Sequence, residues 1–430
     1  MKKFIFITII LLQGILMGAV LKNIEYKNTN IPIIFEKSDS LPIFNLQLIF
    51  KNSGYINDNK KPGLTSLTAK ILNEGTKKDG SVEFARKLEN KAISIDINTG
   101  FETFVIEISC LKEQYKDAIT YLKQILKDPN LTNNSFNKVQ HLALSKLKQK
   151  EDDFDWVASK NLKMLLYPNT PLANSNLGDI NSVKKLCLDD IKKQLKKILN
   201  MNNLIIAAGG DIEYKNLRDD LKPLLSLLND KRTSKIKYID VSLKSKENIL
   251  YKDTQQSYIY FGSPFYLQPN DKENYKSKVA SFILGGSGFG SRLMEEIRVK
   301  NGLAYSAYGY VTNKKSHCVF QGYLQTKLSN TKKAKNMVVD IVKDFVKNGA
   351  TENELKAAKN FLSGSEPLRT ETFSQRLNRA FSLYYKGLDF NYPKEELKLI
   401  DNLTLEDLNK FIKKHNEITK LSFSIVTKKD

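Results

Sequence analysis

Histidine is scarce in this chain of 430 residues, which has only His141, His317 and His415. No two of these histidines are close enough in the sequence to share one face of a helix. Zinc hydrolases commonly take two ligands from histidines one helical turn apart. The sequence therefore contains no local histidine motif for zinc, and only a site assembled from three distant histidines stays open.

Cysteine is scarce as well, and the spacing of Cys110, Cys187 and Cys318 matches no metal-binding or redox motif. An odd number of cysteines cannot pair completely within one chain. One disulfide and three buried free thiols are both compatible with the sequence, so cysteine defines no framework for the fold.

Long hydrophobic runs are absent except at the start of the chain. Met1-Lys2-Lys3 precedes an apolar run over residues 4–17, and the small residues Gly18 and Ala19 follow. This order is typical of a secretory signal peptide, and we predict that residues 1–19 are one. An uncleaved anchor is the alternative, although the run is short for a membrane-spanning helix. The lysine-rich start predicts an exported bacterial protein of the periplasm.

Positive charge is abundant, with a formal net charge of +21 that becomes +19 without Lys2 and Lys3. Such a balance can favour nucleic acid or an anionic surface. Here the lysines are dispersed along helical patterns, arginines are few, and no basic cluster alternates with aromatic residues. We therefore expect no nucleic-acid partner and interpret the lysines as solvated faces.

A glycine-rich loop, a short helix and a strand follow one another over residues 284–310. The loop has neither the spacing of a dinucleotide-binding loop nor the Gly-Lys-Ser/Thr ending of a P-loop, so phosphate binding is not indicated. The helix should begin near Ser291 and end at Gly302, because glycine readily adopts the left-handed conformation that closes a helix. Arg298 then ends a helix and Tyr305 enters a strand, where their side chains are placed to converge. Taken alone, the two residues also fit an ordinary helix cation and an ordinary strand aromatic.

Hydrophobic periodicity predicts strands and helices along the rest of the first half. The predicted strands are Ile31–Phe35, Phe44–Phe50, Ile93–Thr99, Thr103–Cys110 and Asn203–Ala208. The predicted helices are Leu64–Leu72, Ser81–Asn90, Tyr115–Leu126, Asn133–Lys150, Trp156–Leu166 and Ser182–Leu199. A polar turn is expected at Glu36–Ser40.

The second half repeats the first. Residues 350–359 match the segment that starts at Leu131, and residues 403–414 match the segment that starts at Cys187, with offsets of about 219 and about 217. The predicted fold class is therefore α+β, with two homologous domains that each contain a mostly antiparallel sheet packed with helices. Their predicted bounds are 20–228 and 249–430, joined by a lysine-rich linker over 229–248. In the second domain, residues 284–310 are expected to take the place of residues 63–76.

The chain resembles the insulinase (pitrilysin-like) family of zinc metallopeptidases, in the short-chain branch that includes mitochondrial processing peptidase and bacterial relatives. The similarity covers nearly all of the chain after the signal. Its residues are Gly63–Thr76, Tyr167-Pro168 and Gly178 in the first domain, and Ile283–Leu293, Arg298, Gly302–Tyr305 and the Gly349–Leu355 segment in the second. The resemblance implies that the two domains form half of a clam-shaped chamber.

The family's zinc motif, H-x-x-E-H, is missing from the helix predicted at Leu64–Leu72. In the family it supplies two metal ligands and the glutamate that activates the metal-bound water. The matching positions here are Ser66, Ala69 and Lys70. The glutamate that completes the family's site falls at Ser145 or Lys146, and neither is a carboxylate. We therefore expect no zinc or other cofactor in this chain and no independent peptide hydrolysis.

The resemblance also implies a role for Arg298 and Tyr305. Some members of the branch work as heterodimers, in which the subunit without zinc supplies an arginine–tyrosine pair at these positions. A guanidinium and a phenol can donate hydrogen bonds to substrate carbonyls and to the developing oxyanion. We expect a zinc-bearing homologous partner, a peptide or unfolded protein as substrate, and homodimerisation as an option for the isolated chain. A catalytically inert scaffold and a basic protein docked on envelope lipid or polysaccharide are the alternatives.

Overall fold

The computed structural model of the protein describes residues 18–58, 60–231 and 235–429. The predicted signal peptide therefore lies outside the described residues, except for Gly18 and Ala19. The strands of the first domain are β1 (Val20–Tyr26), β2 (Thr29–Lys37), β3 (Ile43–Lys51), β4 (Ser94–Thr99), β5 (Thr103–Leu111) and β6 (Leu204–Gly210).

The helices of the first domain lie mainly between β3 and β4 and between β5 and β6. They are α1 (Leu64–Leu72), α2 (Gly80–Glu89), α3 (Tyr115–Lys127), α4 (Asn133–Glu151), α5 (Phe154–Leu166), α6 (Ile180–Lys185), α7 (Leu188–Ile198) and α8 (Tyr214–Leu225). The helix predicted at Leu64–Leu72 has the observed bounds of α1.

The second domain starts with β7 (Glu247–Tyr251) and β8 (Gln256–Pro264) and ends with β11 (Ser422–Thr427). Its other strands are β9 (Ala304–Asn313) and β10 (Cys318–Lys327). Its helices are α9 (Asn274–Ser281), α10 (Arg292–Met294), α11 (Thr331–Asn348), α12 (Glu352–Gly364), α13 (Phe373–Lys386), α14 (Tyr392–Asp401) and α15 (Leu405–Lys414). Two π-helical segments, Phe282–Gly286 and Glu295–Lys300, extend α9 and α10.

The two sheets have the same strand order. The first sheet runs β1-β2-β6-β3-β5-β4 and the second β7-β11-β8-β10-β9, so the second repeats the first without an equivalent of β1. The pairs β2–β6 and β11–β7 are parallel, and the other pairs in both sheets are antiparallel. The prediction of two α+β domains, each with a mostly antiparallel sheet, is confirmed.

The repeated helix starts are also visible in the structure. Thr132 caps α4 and Thr351 caps α12, each by accepting a hydrogen bond from a backbone N–H of the first turn. Helices α7 and α15 occupy corresponding places in the chain, because α7 precedes β6 and α15 precedes β11, and these two strands have the same position in their sheets. The sequence repeat is therefore a repeat of structure.

Each domain sends one helix across to the other domain's sheet. Helix α5 packs on β8 and β11, where its Asp155 accepts hydrogen bonds from Tyr260 Oη at 2.9 Å and from Gln325 Nε2 at 3.1 Å. Helix α13 packs on β2 and β6, and its Arg376 Nε lies 2.6 Å from Glu36 Oε1. This reciprocal exchange joins the domains through polar as well as apolar contacts.

Three boundaries differ from the sequence prediction. Glu36 belongs to β2 instead of a polar turn, because Arg376 pairs with its buried carboxylate. The helix predicted at Ser182–Leu199 is two helices, since Leu186 and Cys187 are extended and Cys187 starts a new helix. The predicted linker overlaps the second domain, because β7 begins at Glu247. Strand β1 and helix α8 were not predicted.

The correspondence predicted between residues 284–310 and residues 63–76 is wrong in register. In each domain two helical segments connect the third strand of the shared order to the edge strand, α1 and α2 in the first and α9 and α10 in the second. Helix α9 with its π-helical extension therefore stands in the place of α1. The helix that carries Arg298 stands in the place of α2.

The three cysteines are free thiols in the structure. Cys110 and Cys318 are buried, whereas Cys187 is exposed, so neither a disulfide nor three buried thiols describes them. Within the described residues, no helix combines the length and the apolar character that crossing a membrane requires.

Candidate functional site

Helix α1, which carries the zinc-motif positions, is held at its start by a buried carboxylate. Asp58 accepts hydrogen bonds from Gly63 N and Thr65 N, both at 3.0 Å, and from the Thr65 hydroxyl. Gln194 Nε2 donates to the same hydroxyl oxygen at 2.8 Å. Burial raises the pKa of Asp58 to about 6, although these hydrogen bonds oppose the rise. The N-terminus of α1 is thus fixed by a polar network in the interior.

Burial surrounds α1 on nearly every side. Its apolar residues pack against α4 on one side and against the first sheet on the other. Asn73, which follows the helix, donates to Ile97 O at 2.9 Å and accepts from Ile97 N at 3.0 Å, so it ties α1 to β4. Every residue of α1 except Lys70 is buried.

The zinc-motif positions cannot hold a zinc ion with these residues. Ser66 and Ala69 are buried, and Lys70 is half-buried. Burial lowers the pKa of Lys70, and the positive charge of Lys146 on α4 lowers it further. Lys146 therefore lies close enough to Lys70 to act on its charge. Two ammonium groups stand where the family places metal ligands, and they would repel Zn²⁺.

The remaining histidines do not compensate. His141 is exposed on α4, His317 lies between the domains, and His415 is buried with its Nδ1 2.8 Å from Glu417 Oε1. Across residues 18–58, 60–231 and 235–429, no three histidine, cysteine, aspartate or glutamate side chains are grouped so that they could hold a metal ion.

The second candidate region is the segment that carries Arg298. Ser291 precedes the helix, and its buried hydroxyl donates to Gly288 O at 2.7 Å. Leu293 and Ile297 are fully buried, as the four-residue spacing predicted. Gly302 has a φ of 60° and ends the helix at the predicted residue.

Arg298 and Tyr305 do converge, as the sequence predicted. The guanidinium carbon of Arg298 lies 4.7 Å from the ring centre of Tyr305 and 4.6 Å from the ring centre of Phe289. We call these three side chains the Arg298 stack. Tyr305 is 82% exposed and Phe289 is 67% exposed, so the stack faces solvent. Each cation–π contact of this exposed kind contributes about 0.5–1 kcal/mol.

The guanidinium of the Arg298 stack has no acidic partner. Within the described part of the chain, the Arg298 side chain forms no hydrogen bond or ion pair, and its guanidinium contacts the two aromatic rings. The aromatic rings accept no conventional N–H hydrogen bonds, so these contacts leave the N–H donors of the guanidinium available. The stack is therefore a positioned set of unused hydrogen-bond donors.

Arg292, six residues earlier, shows what a purely structural arginine looks like in this segment. Its Nε and Nη2 reach Glu354 at 2.6 and 2.8 Å, and Nη2 also donates to Gly349 O at 2.6 Å. Asp344 accepts a further bond from Nη1 at 3.2 Å. Arg292 is fully engaged in joining α10 to α11 and α12, whereas Arg298 is not engaged by any carboxylate.

The glycine-rich loop places the stack by packing closely against β9. A Cβ atom at Gly285 would lie 2.5 Å from Gly309 N and 2.7 Å from Leu293 Cδ1, so only glycine fits there. Gly290 N donates to Glu295 Oε1 at 3.2 Å, which ties the loop to the helix of Arg298. The loop follows a helix, not a strand, and it serves as a support for the stack.

Phe289 is the member of the stack that the sequence did not reveal. Gly288 and Gly290 flank it with φ values of 71° and 84°, so the loop turns sharply on both sides of its side chain. A large apolar residue between two such glycines has no neighbours in sequence to cover it. That pattern is the one sequence signal for an exposed aromatic at this position.

The two candidate regions do not touch. No hydrogen bond, ion pair or ring contact between described residues joins the Arg298 stack to Ser66, Ala69 or Lys70. The chain thus separates a buried helix without metal ligands from an exposed set of donors.

Comparisons with known proteins identify relatives of the chain. The family profile described as "Insulinase (Peptidase family M16)" matches residues 36–180, and the profile "Peptidase M16 inactive domain" matches residues 185–362. The "Non-peptidase homolog YmxG" of Helicobacter pylori (strain ATCC 700392 / 26695) is 44% identical over 432 residues, which cover 100% of this chain and 99% of that protein.

Two solved structures share the fold. The structure described as peptidase M16 inactive domain from Pseudomonas fluorescens has a TM-score of 0.87 at 22% identity and covers 96% of this chain and 98% of its own. A protease from Helicobacter pylori has a TM-score of 0.83 at 16% identity and covers 95% of this chain and 100% of its own.

Proposed function

The chain belongs to the insulinase family, peptidase family M16, and we propose that it is a non-peptidase subunit that completes the site of a zinc-bearing homologue. The observation that carries this proposal is the solvent-facing, unpaired guanidinium of Arg298 between Phe289 and Tyr305. A subunit that completes a partner's site needs no zinc of its own, but it needs hydrogen-bond donors that are free to reach the substrate.

The Arg298 stack would act on substrate that is bound in the partner's site. The Arg298 N–H groups and the Tyr305 hydroxyl would donate to peptide carbonyls and to the oxyanion that develops during cleavage. The contacts with Phe289 and Tyr305 hold the guanidinium in place before substrate arrives, which limits the entropy lost on binding. The role of Tyr305 and Arg298 is therefore to bind substrate and stabilise charge, not to activate water.

The catalytic metal would belong to the partner. Ser66, Ala69 and Lys70 offer no ligand set, and Lys146 adds a second positive charge beside them. We therefore propose zinc in a homologous subunit that pairs with this chain, so that each contributes half of a clam-shaped chamber. The substrate class is a peptide or an unfolded protein, and the compartment is the periplasm, reached through the signal at residues 1–19.

The relatives support the proposal indirectly. Helicobacter pylori has a protein described as a non-peptidase homologue, which is 44% identical to this chain. It also has a protein described as a protease, which shares the fold of this chain. A genome that encodes both kinds of protein has the two components that a mixed dimer needs.

A scaffold without any catalytic contribution is the second candidate. The loss of the metal positions favours it equally, because a scaffold has no need for zinc. The two candidates differ in what they require of Arg298, since only the complementing subunit uses its free donors.

Arg298→Ala separates the two candidates. The mature chain is mixed with a zinc-bearing M16 homologue from the same genome, and peptide cleavage is compared for wild type, Arg298→Ala and the control Arg86→Ala, an exposed arginine on α2. Loss of one oxyanion donor predicts a fall in turnover of about 100- to 1000-fold for Arg298→Ala. The mixed dimer should form equally with all three chains in size-exclusion chromatography. Equal cleavage by wild type and Arg298→Ala would leave the scaffold as the better account.

A further inference from the structure

A cavity of about 390 Å³ lies between the two domains, away from both regions described above. Both domains contribute to its walls, the first through the β4–β5 turn and α5, and the second through the β9–β10 turn and α13. Its volume is within the range of pockets that hold small organic molecules. A ligand in this cavity would touch both domains at once.

Positive charge dominates the cavity wall. The lining residues include four lysines and one carboxylate, and these are Lys163, Lys314, Lys315, Lys386 and Glu102. Within the described residues none of the four lysines forms an ion pair. The carboxylate of Glu396 raises the pKa of Lys386 by its charge, but it already forms an ion pair with Lys278 at 2.6 Å. The positive charges therefore face the cavity without neutralising partners from the chain.

The single carboxylate of the wall is already in use. Glu102 is 7% exposed, and its Oε1 accepts hydrogen bonds from Ser316 N at 2.8 Å and Ser316 Oγ at 2.5 Å. These bonds cross from the first domain to the second. Glu102 therefore joins the domains and does not neutralise the lysines. Burial lowers the pKa values of Lys163, Lys315 and Lys386. Lysines that are partly removed from water without an acidic partner gain most from an anion.

Aromatic rings form the rest of the wall. They are Tyr55, Phe101, Tyr167, His317, Phe381 and Tyr385. Phe101 and Tyr167 meet the His317 ring edge to face, with ring centres 5.8 and 5.7 Å away. Burial lowers the pKa of His317 to about 4, so at neutral pH the imidazole contributes a ring and no charge.

The hydroxyl of Tyr167 is a buried polar group that no described residue satisfies. Tyr167 is 3% exposed, and its Oη has no hydrogen-bond partner in residues 18–58, 60–231 and 235–429. Buried hydroxyls almost always have a partner, which is a protein group, water or a ligand. The cavity thus combines unpaired cations, flat apolar surfaces and the unpartnered hydroxyl of Tyr167.

We propose that the cavity between the domains binds a small organic anion, an aromatic or similarly flat molecule with a carboxylate, sulfonate or phosphate group. The acidic group would be held by Lys163 and Lys386, and the flat body would lie against the rings of Phe101, Tyr167 and Tyr385. Because the site includes residues of both domains, its ligand would stabilise their relative arrangement in proportion to its concentration. This site is independent of the Arg298 stack and of the proposed pairing.

Cations and nucleic acids fit this cavity poorly. A cation would face four lysines, and a nucleic-acid strand is far larger than a cavity of about 390 Å³. A neutral aromatic molecule would fill the space but would leave the lysines unpaired. The combination on the wall selects for charge and for a flat apolar body together.

The probe for the test is 8-anilinonaphthalene-1-sulfonate, a fluorescent aromatic anion, with neutral N-phenyl-1-naphthylamine as its matched control. Titration of the full mature chain should give one saturable site for the anion. Lys163→Gln and Lys386→Gln should each weaken its binding about tenfold, because each variant removes a charge-assisted hydrogen bond to the anion. Lys192→Gln, on the exposed face of α7, should leave binding unchanged.

Two further variants protect the test against a general loss of fold. Lys386→Arg keeps the charge and should bind within a few-fold of wild type. Ser382→Trp adds bulk at an exposed position of the cavity wall and should abolish binding while the circular dichroism spectrum and melting temperature stay close to wild type.

Three results would overturn the proposal. The first is the absence of saturable anion binding, and the second is equal binding by wild type and both lysine variants. The third is an equal effect of the lysine variants on the neutral naphthylamine, which would show that the lysines support the walls without recognising charge. Competition by inorganic phosphate as strong as that by an aromatic sulfonate would contradict the requirement for a flat body.

Discussion

Corresponding segments of the two domains have opposite relations to solvent. In the first domain, α1 and α2 connect β3 to the edge strand, and α1 is buried except at Lys70. In the second domain, α9 and α10 make the same connection, and the loop between them, the extension of α10 and the start of β9 present Phe289, Arg298 and Tyr305 to solvent. One topology can therefore keep a buried, metal-free helix in one copy and an open set of donors in the other.

The positively charged side chains of the two regions also have different surroundings. Lys70 and Lys146 lie near each other on facing helices, in a place where the family holds a cation. Arg298 has no acidic partner, whereas Arg292 of the same segment is saturated by Glu354, Asp344 and Gly349. The first domain lacks ligands at the zinc-motif positions, and the second holds an arginine that no carboxylate of the described residues engages.

Rebuilding a metal site in the first domain would break this comparison most completely. We expect Ser66→His, Lys70→His and Lys146→Glu together to give about one bound zinc per chain, since two imidazoles one helical turn apart and one carboxylate form a zinc ligand set. Zinc content by atomic emission after dialysis measures the outcome. The double variant that keeps Lys146 should bind zinc at least about tenfold more weakly, because an ammonium beside the ligands opposes the ion. Equal affinities would place Lys146 away from the motif.

The starts of the corresponding helices should respond to pH in opposite directions. Burial raises the pKa of Asp58 to about 6 from 3.8, so its contribution to stability is present below pH 3.8 and is lost as pH rises through about 6. At 1.36 kcal/mol per unit, the loss is at most about 3 kcal/mol. Hydrogen bonds from Lys414 and Lys276 lower the pKa of Glu273 before α9, so its smaller contribution is present above pH 4.5 and is lost as pH falls.

Urea unfolding at several pH values between 3 and 7 tests both effects. In wild type the free energy of unfolding should fall between pH 4 and 6 because of Asp58, and Asp58→Asn should remove this fall. Glu273→Gln should remove a smaller rise in the free energy of unfolding that occurs as the pH increases. If the pH profile of Asp58→Asn parallels that of wild type, the carboxylate is not buried as described.

The glycine loop of the second domain offers the smallest of the three effects. Gly285→Ala would force a Cβ against the backbone of Gly309 and should destabilise the chain by about 1–3 kcal/mol. Gly364→Ala is the matched control, because its Cβ meets nothing within 4 Å and the residue ends α12. There we expect no loss or a small gain, since alanine favours the helix. Equal melting temperatures for the two variants would contradict the close packing of the loop on β9.

Much of the fold followed from local pattern. The bounds of α1, the end of a helix at Gly302 and the approach of Arg298 to Tyr305 came from periodicity, capping and spacing, which are properties of neighbours in sequence. The doubled architecture followed from short repeats, because α4 and α12 begin with the same threonine cap.

What escaped the sequence depends on contacts between distant residues. Glu36 looked like a turn residue because its partner, Arg376, lies in the other domain. The exchange of α5 and α13 between the sheets, and the proximity of Lys146 to Lys70, are likewise set by tertiary packing. Phe289 escaped because the sequence of a glycine loop indicates that its ring is exposed but not that it will contact an arginine nine residues later.

The most direct test of the account is zinc content and peptide cleavage, measured for the mature chain alone and then mixed with a zinc-bearing M16 homologue from the same genome. We expect no stoichiometric zinc and no cleavage by the chain alone, and cleavage in the mixture above that of the homologue by itself. Cleavage by the chain alone with one zinc per molecule would contradict the account.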